Sequence, residues 1–394
     1  MEANIPDVRR RLLGICGLFF KLGVISFGGP AAHIALMEQE TVRKRAWLSR
    51  EHFLDLLATT NLVPGPNAVE MASHIGFVRG GWPGLVAGGV SFTLPAALIS
   101  LGLAWVYVRF GGLPQVAALF YGINPAVMAI ILVATYRLGR TALKDKRGVV
   151  LGLACFAAAL LGVNEVVVLL AAGMIGMLLY APLRLPHGPR SFQFVLPWLL
   201  FGLGLPPGLL AAAPAWLDDR LLRLGLFFLK VGALLFGSGM VLFAFIQRDV
   251  VVRYGWLNQR QLIDAIAVGQ MTPGPVLSSA TFIGYLVAGV PGGIVATLAV
   301  FTPSFLIVAL VGPWIPRLRR VPAAQAFLRG VNAAVVALIL AVAVALFRSA
   351  IVDVWTAAVL LAGLVALLRF RADTLWLVLG GAVIGLARYL LVGP

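Results

Sequence analysis

Two lysines interrupt apolar sequence: Lys21 in Leu18-Phe19-Phe20-Lys21-Leu22-Gly23 and Lys230 in Phe227-Phe228-Leu229-Lys230-Val231-Gly232. In a bilayer such a lysine costs about a few kcal/mol unless it is paired or snorkels to the interface, so the repeated pair reads as two buried cations flanking a dianion site, with snorkelling the competing reading for Lys21. Downstream of each lysine the sequence breaks helical geometry, at Ser26-Phe27-Gly28-Gly29-Pro30 and at Phe236-Gly237-Ser238-Gly239. A second pair of breaks follows, Asn61-Leu62-Val63-Pro64-Gly65-Pro66-Asn67 and Gln270-Met271-Thr272-Pro273-Gly274-Pro275. Glycine releases the backbone from helical dihedrals, and proline suits the first turn of a new helix. Each break therefore predicts a helix N-terminus inside the membrane, with N–H groups and a partial positive charge aimed at an anion. The plainer reading of a single Gly-Pro break is a packing kink; four breaks placed symmetrically favour a binding site of the transporter kind. The expected substrate-binding set is the two lysines with Ser26 to Pro30, Pro64 to Asn67, Phe236 to Gly239 and Thr272 to Pro275.

The carboxylates and histidines suggest a second chemistry, proton coupling. Glu38 and Glu40 end the first broken segment, where the copy has Gln247 and Asp249. Asn67, Glu70 and His74 share one helical face, whereas the copy offers the neutral hydroxyls Ser278, Ser279 and Thr281. His33, Glu38, Glu40 and Glu70 are the expected coupling residues. The competing reading of Glu38 and Glu40 is interfacial charge opposite Arg43-Lys44-Arg45.

These residues are positioned by one unit written twice. At the displacement that carries Lys21 onto Lys230, Glu40 falls on Asp249, Trp47-Leu48 on Trp256-Leu257, Asp55 on Asp264, and Pro64-Gly65-Pro66 on Pro273-Gly274-Pro275. One residue is then lost, after which Gly76 meets Gly284, Pro83-Gly84 meets Pro291-Gly292, Pro95 meets Pro303, and Gly122 with Asn124 meets Gly330 with Asn332. The halves are expected at residues 1–213 and 214–394. Each starts with an interrupted apolar helix (Leu12–Leu36, Leu221–Ile246), then a short amphipathic helix, the Pro-Gly-Pro break and long spans near Trp82–Val108 and Pro114–Leu138, repeated near Gly292–Pro313 and Ala323–Phe347. Further apolar segments lie near Gly148–Val163, Glu165–Tyr180 and Phe192–Ala213, then Val352–Leu368 and Thr374–Leu391. Ser49 is placed to cap the amphipathic helix with Leu48 and Phe53 as a staple, and Asn258 with Gln261 reads as a capping box.

Composition sets the class: 61% of residues are hydrophobic and 12% charged, too few charges to cover a soluble chain of 394 residues. The expected fold is an all-α polytopic membrane protein of roughly ten to thirteen spans. Basic residues outnumber acidic ones 31 to 15, but they cluster in short connections such as Arg9-Arg10-Arg11 and Arg317 to Arg320, as the positive-inside rule selects. No nucleic-acid motif accompanies them. Cys16 and Cys155 lie in apolar runs, so no disulfide framework, metal site or cofactor is expected. The N-terminal basic-then-apolar run lacks a small-residue cleavage site and reads as retained. If the Pro-Gly-Pro segment crosses the membrane, seven crossings separate equivalent points and the halves are inverted; if it re-enters, six crossings make them parallel. The inverted arrangement is the expectation, being common around midplane sites.

Phe-Lys-Leu-Gly before Phe-Gly-Gly-Pro, Trp-Leu before an amphipathic helix, and Pro-Gly-Pro, with both halves carrying the pattern, resemble the chromate ion transporter family in its long, two-domain form. The resemblance covers nearly the whole chain. It implies a multi-pass protein of a bacterial or archaeal inner membrane that exports chromate by the proton-motive force, with its halves in opposite orientations. Ser238-Gly239 departs from the family's Gly-Pro, which implies a looser anion cradle in the second half. The implied partners are a chromate- or sulfate-like dianion, protons and the lipid bilayer, with a homodimer left open. N–H groups and lysines would not easily separate chromate from sulfate, so another oxyanion stays an alternative. An intramembrane lipid-phosphate phosphatase is the other: Pro273 to Thr281 faintly echoes its motif, but no arginine lies between Arg260 and Arg317 to stabilise a phosphoryl transition state.

Overall fold

The computed structural model describes residues 5–60, 64–181, 218–237, 239–311 and 321–393, and these are helical with no strand. The expected boundary at 213/214, the segment Phe192–Ala213, Asn61 to Val63, Ser238 and Arg317 to Arg320 lie outside the described residues.

The first half runs α1 (Ile5–Ile25), α2 (Pro30–Glu38), a π-helical turn (Gln39–Lys44), α3 (Arg50–Thr60), α4 (Asn67–Phe110), α5 (Pro114–Ala142), α6 (Lys146–Leu160) and α7 (Glu165–Tyr180). The second runs α8 (Asp219–Leu234), a 3₁₀ turn (Gly239–Val241), α9 (Leu242–Phe245), a π-helical turn (Ile246–Arg253), α10 (Gln259–Met271), a 3₁₀ turn (Val276–Ser278), α11 (Ser279–Val311), α12 (Pro322–Ala350), α13 (Val354–Arg369) and α14 (Thr374–Val392). Among the described residues five helices are long and apolar enough to cross a membrane. Their outer faces carry Leu98, Leu310 and Leu390, each more than half exposed, an apolar surface suited to lipid.

The amphipathic helices start as their caps dictate. Ser49 Oγ accepts from the His52 amide at 3.1 Å, and Leu48 and Phe53 are buried together. Asn258 and Gln261 close a full capping box before α10.

Both long broken helices are hairpins. Gly81 (φ 62°) and Gly289 (φ 62°) lie in the left-handed region, so the chain reverses there. The limbs then pack backbone to backbone: a Cβ on Gly76 would overlap the Gly84 carbonyl, one on Gly88 would lie 2.5 Å from the Ala72 carbonyl oxygen, and Gly284 and Gly292 exclude one another likewise. Small residues allow this approach where lipid supplies no hydrophobic drive between helices. Ser49 near the start of α3 and Val78 near the end of the 67–80 limb line one cavity, which sets α3 alongside that limb. Pro64-Gly65-Pro66 is thus the tip of a re-entrant loop and not part of a crossing. Lys21 reaches back across the first break to Glu40, so the first broken segment turns back as well. The chain therefore doubles back at both broken elements, the hairpin alternative and not the single passage assumed in the seven-crossing count.

Helix direction follows from the contacts. Gly84 faces Ile15 and Gly23 faces Pro95, so α1 runs parallel to the 82–110 limb. Gly89 faces Phe305 while Gly293 faces Leu101, so the 82–110 limb runs antiparallel to its counterpart, 292–311. Farther out the halves exchange partners: α5 packs on α13 and α14, and α12 packs on α6 and α7. Gly122 meets Gly381 and Gly385 at the first of these contacts, and Gly330 meets Ala172 and Gly176 at the second.

Candidate functional site

The centre is built by the two re-entrant tips. Pro-Gly-Pro contains a single backbone N–H, because proline has none. The Gly65 N–H donates to the Leu235 carbonyl at 2.7 Å, and the Gly274 N–H donates to the Ser26 carbonyl at 2.8 Å. Leu235 and Ser26 are equivalent residues at the first breaks of opposite halves, so the bonds are reciprocal. Gly65 (φ 153°) and Gly274 (φ 90°) adopt dihedrals open to glycine, and a Cβ on Gly274 would press on Ala96 at 3.1 Å.

Of the expected binding residues, Ser26, Pro64, Gly65, Pro66, Phe236, Thr272, Pro273, Gly274 and Pro275 are buried together at this crossing, with Asn67 half-buried at the first turn of α4. Pro30 begins α2, and Gly28 and Gly29 (φ 93° and 85°) make the turn before it, with Gly28 against Asp373 at the start of α14. Phe27 is half-buried beside them. Gly237 faces the Asn332 side chain, and Gly239 opens a 3₁₀ turn followed by the four-residue α9. Pro30 and Pro66 lead directly into α2 and α4, whereas in the second half a 3₁₀ turn comes first at both points, before the four-residue α9 after Gly239 and before the long α11 after Pro275.

The lysines differ from the expectation of bare buried cations. Lys21 Nζ donates to Glu40 Oε1 at 3.2 Å, and Lys230 Nζ donates to Asp249 Oδ2 at 2.5 Å. The partner acids are themselves repeat equivalents, each carried on a π-helical turn, a wound form often found at functional positions. Lys21 is half exposed and Lys230 mostly buried. Glu40 also holds Lys44 at 3.0 Å and Arg45 at 3.7 Å, and Glu38 holds Arg43 at 3.6 Å and Arg50 at 3.7 Å. Glu38 and Glu40 are therefore set in an ion-pair network at the edge of the first half.

The uncharged interior is different. Glu70 is fully buried on α4, and neither carboxyl oxygen has a partner. Its Oε1 and Ser304 Oγ both crowd the space above Gly65, with Ser304 Oγ 2.6 Å from where a Cβ would stand. Ser304, Ser73, Ser26, Ser278, Gln270 and both nitrogens of His33 are likewise buried or half-buried without a partner, while His33 stacks edge-on against Phe92 at 5.8 Å. Buried polar atoms are ordinarily satisfied, so this concentration marks a place for water, protons or an anion. Ser304 comes from the second half, at the position where the first has Ala96; this difference between the copies was its only sequence signal. The Asp264 network also went unread from sequence: Tyr107 donates to its Oδ2 at 2.7 Å and Asn124 to its Oδ1 at 3.0 Å.

Re-entrant tips meeting between antiparallel spans, with unpartnered polar groups beside them, define a polytopic α-helical membrane transporter. The profile of the family described as Chromate transporter matches residues 13–177 and again 222–386, so the chain belongs to the chromate transporter family. It is 37% identical over 376 residues to the "Chromate transport protein" of Cupriavidus metallidurans, covering 94% of this chain and 92% of that one. It is 35% identical to the "Probable chromate transport protein" of Synechococcus elongatus (89% of this chain, 87% of the relative) and 33% identical to the "Chromate transport protein" of Pseudomonas aeruginosa (82% and 77%). No solved structure matches. Family membership makes the chain a multi-pass inner-membrane transporter and not an enzyme.

The Lys44 ammonium, with Lys21 beside it, holds the Glu40 carboxyl below the usual carboxylate range against the opposing effect of burial. A depressed carboxyl stabilises the fold above its unfolded pKa, and that stability is lost as pH falls through the folded value. The detergent-solubilised protein should therefore lose melting temperature on acidification past the ordinary carboxylate range. Glu40→Gln should start lower and lose less; an identical acid profile for both would show that the pair does not contribute.

Proposed function

We propose that the chain exports chromate, a tetrahedral dianion, across the inner membrane in exchange for protons, and that its two halves lie in opposite orientations. The observation that carries the substrate is the near end-to-end match to a relative named as a chromate transport protein. The proposed anion site lies at the crossing of the tips, with Ser26, Thr272 and the Pro-Gly-Pro backbones around it and Lys21 and Lys230 as its nearest repeated cations in sequence. Glu70 and His33 are the proposed coupling groups, since both are buried without partners. Glu38 and Glu40, engaged by lysines and arginines, hold the break in place and modulate it. Sulfate is the second reading: the free donors at the crossing are uncharged hydroxyls such as that of Ser26, which do not distinguish one tetrahedral dianion from another.

Everted membrane vesicles test both readings. Radiolabelled chromate should accumulate when the interior is acidified, collapse with a protonophore, and yield to excess sulfate only if selectivity is weak. Vesicles that accumulate neither anion under any gradient would overturn the oxyanion reading.

The proposed inversion rests on the antiparallel 82–110 and 292–311 limbs. These limbs are repeat equivalents that run in opposite directions, which is what inverted halves require. Single cysteines at Arg43 and Val252, both exposed and equivalent in the repeat, should react with an impermeant maleimide from opposite faces, after Cys16 and Cys155 are replaced by serine. Labelling of both from the same face would establish parallel halves.

A further inference from the structure

A cavity of about 620 Å³ opens between the ends of α5 and α13, lined by Tyr136, Arg137, Arg140, Thr141, Leu368 and Arg371. Three of these residues are arginines, and among the described residues no carboxylate lines the cavity. Arg137 is fixed at its wall, because its Nη2 donates to the Leu367 carbonyl at 2.9 Å. A guanidinium carries five N–H donors, so that bond leaves others free for a ligand. Arg140 lies over the Tyr136 ring at 6.0 Å. We propose that this cavity binds the phosphate of an anionic phospholipid, whose acyl chains run along α13. The site is independent of which anion is carried and of proton coupling.

The backbone at Arg371 is the first support. Its φ of 53° lies in the left-handed region, where a side chain is strained. Arg371 stands two residues beyond the end of α13, and Gly162 (φ 79°) stands two residues beyond the end of α6, its counterpart in the repeat. The first half therefore has the glycine that such a helix end favours, and the second has an arginine that lines the cavity. Strain of this kind collects at ligand sites, and here it adds a third cation. In the other copy Arg137 and Arg140 fall on Ala345 and Arg348, so the equivalent place has one cation instead of three.

The arginines call for an oxyanion, and the surface beside them says where it comes from. Leu361, Val365 and Leu368 stand at i, i+4 and i+7 on α13, each more than half exposed, so an apolar stripe leads away from the cavity along the helix. Tyr136, also more than half exposed, has the amphipathic ring found at headgroup level. A dissolved phosphate or chromate gains nothing from the stripe, whereas acyl chains cover it. Neighbouring charges reinforce the site: Lys144, Lys146, Arg147 and Arg369 stand at the same helix ends. The carboxylates there, Asp145 and Asp373, are engaged as the N-caps of α6 and α14. Asp145 also accepts from the Tyr180 hydroxyl, and Asp373 lies against Gly28. So basic an end is cytoplasmic by the positive-inside rule, and that leaflet carries anionic lipid.

The test follows the melting temperature of the purified full chain in dodecyl maltoside micelles, since a ligand of the folded state raises it. Phosphatidylglycerol titrated into the micelles should raise it saturably, and phosphatidylcholine or inorganic phosphate should not. Arg371→Gly, which copies the first half and relieves the turn, should melt no lower than the unsubstituted protein without lipid. It should nevertheless need about fivefold more phosphatidylglycerol for the half-maximal rise, the order expected for one cation at an anionic lipid. Arg140→Gln should shift the titration in the same direction. Arg109→Gln, an exposed arginine beside the opposite end of α5, should leave it unchanged. No saturable rise, an unshifted titration in both Arg371→Gly and Arg140→Gln, or an equal shift in Arg109→Gln would overturn the site. An equal rise with inorganic phosphate would assign the cavity to a dissolved oxyanion and overturn the lipid.

Discussion

Two backbone hydrogen bonds, Gly65 to Leu235 and Gly274 to Ser26, are the constraint on which the rest of this structure depends. Inside a bilayer no water satisfies a broken helix, so each carbonyl freed by a break needs a donor from the protein. Ser26 cannot receive one from its own helix, because the residue four positions on is Pro30. The Pro-Gly-Pro tips solve the complementary problem: two of their three residues have no N–H, and the remaining one is spent on the other half. Each half thus supplies an acceptor at its first break and a donor at its second. Neither half could complete its own breaks alone, which accounts for α4 and α11 packing on one another and for α5 and α12 reaching across to the opposite terminal helices.

This symmetry concerns the backbone; the side chains depart from it. At the Gly65 tip the space is shared by Glu70 and Ser304, whereas the Gly274 tip meets Ala96 and backbone carbonyls. The first half keeps acid and imidazole where the second has hydroxyl and phenyl groups. A symmetric scaffold with asymmetric chemistry suits a coupled transporter: the two-fold frame permits exchange between two states, and one set of titratable groups biases it. The paired lysines belong to the frame. Each draws its π-helical turn back along the preceding helix, so the same ion pair closes the first hairpin in both halves.

Much of the frame was legible in the residues. Pro30, the capping box at Asn258 and the tips at Gly65 and Gly274 are positions where backbone chemistry permits few alternatives, whereas the reversals at Gly81 and Gly289 went unread. The register that matched Lys21 with Lys230 also matched Glu40 with Asp249, so the ion pairs were present in the pattern, though residues 19 apart across a break do not announce contact. Chain direction was not legible: a Gly-Pro break permits either a kinked crossing or a return, and only tertiary packing decides. Ser304 and the Tyr107–Asn124–Asp264 network were hidden for the same reason, since each joins residues more than a hundred positions apart. Asn67, Glu70 and His74 were placed on one face by helical spacing alone, but whether that face met a cavity depended on α3.

The central claim is that the two tips are held by the opposite halves, and the hydrogen exchange of two amides addresses it most directly. Since each Pro-Gly-Pro has one N–H, fragmentation that resolves single residues can follow Gly65 and Gly274 without overlap in the folded protein. Both should exchange as slowly as amides in the middle of α5 and α12, and far more slowly than Gly29, which no neighbouring group approaches within 4 Å of where a side chain would begin. Exchange of either tip amide at the rate of an open loop would contradict the reciprocal bond and the interlocked arrangement built on it.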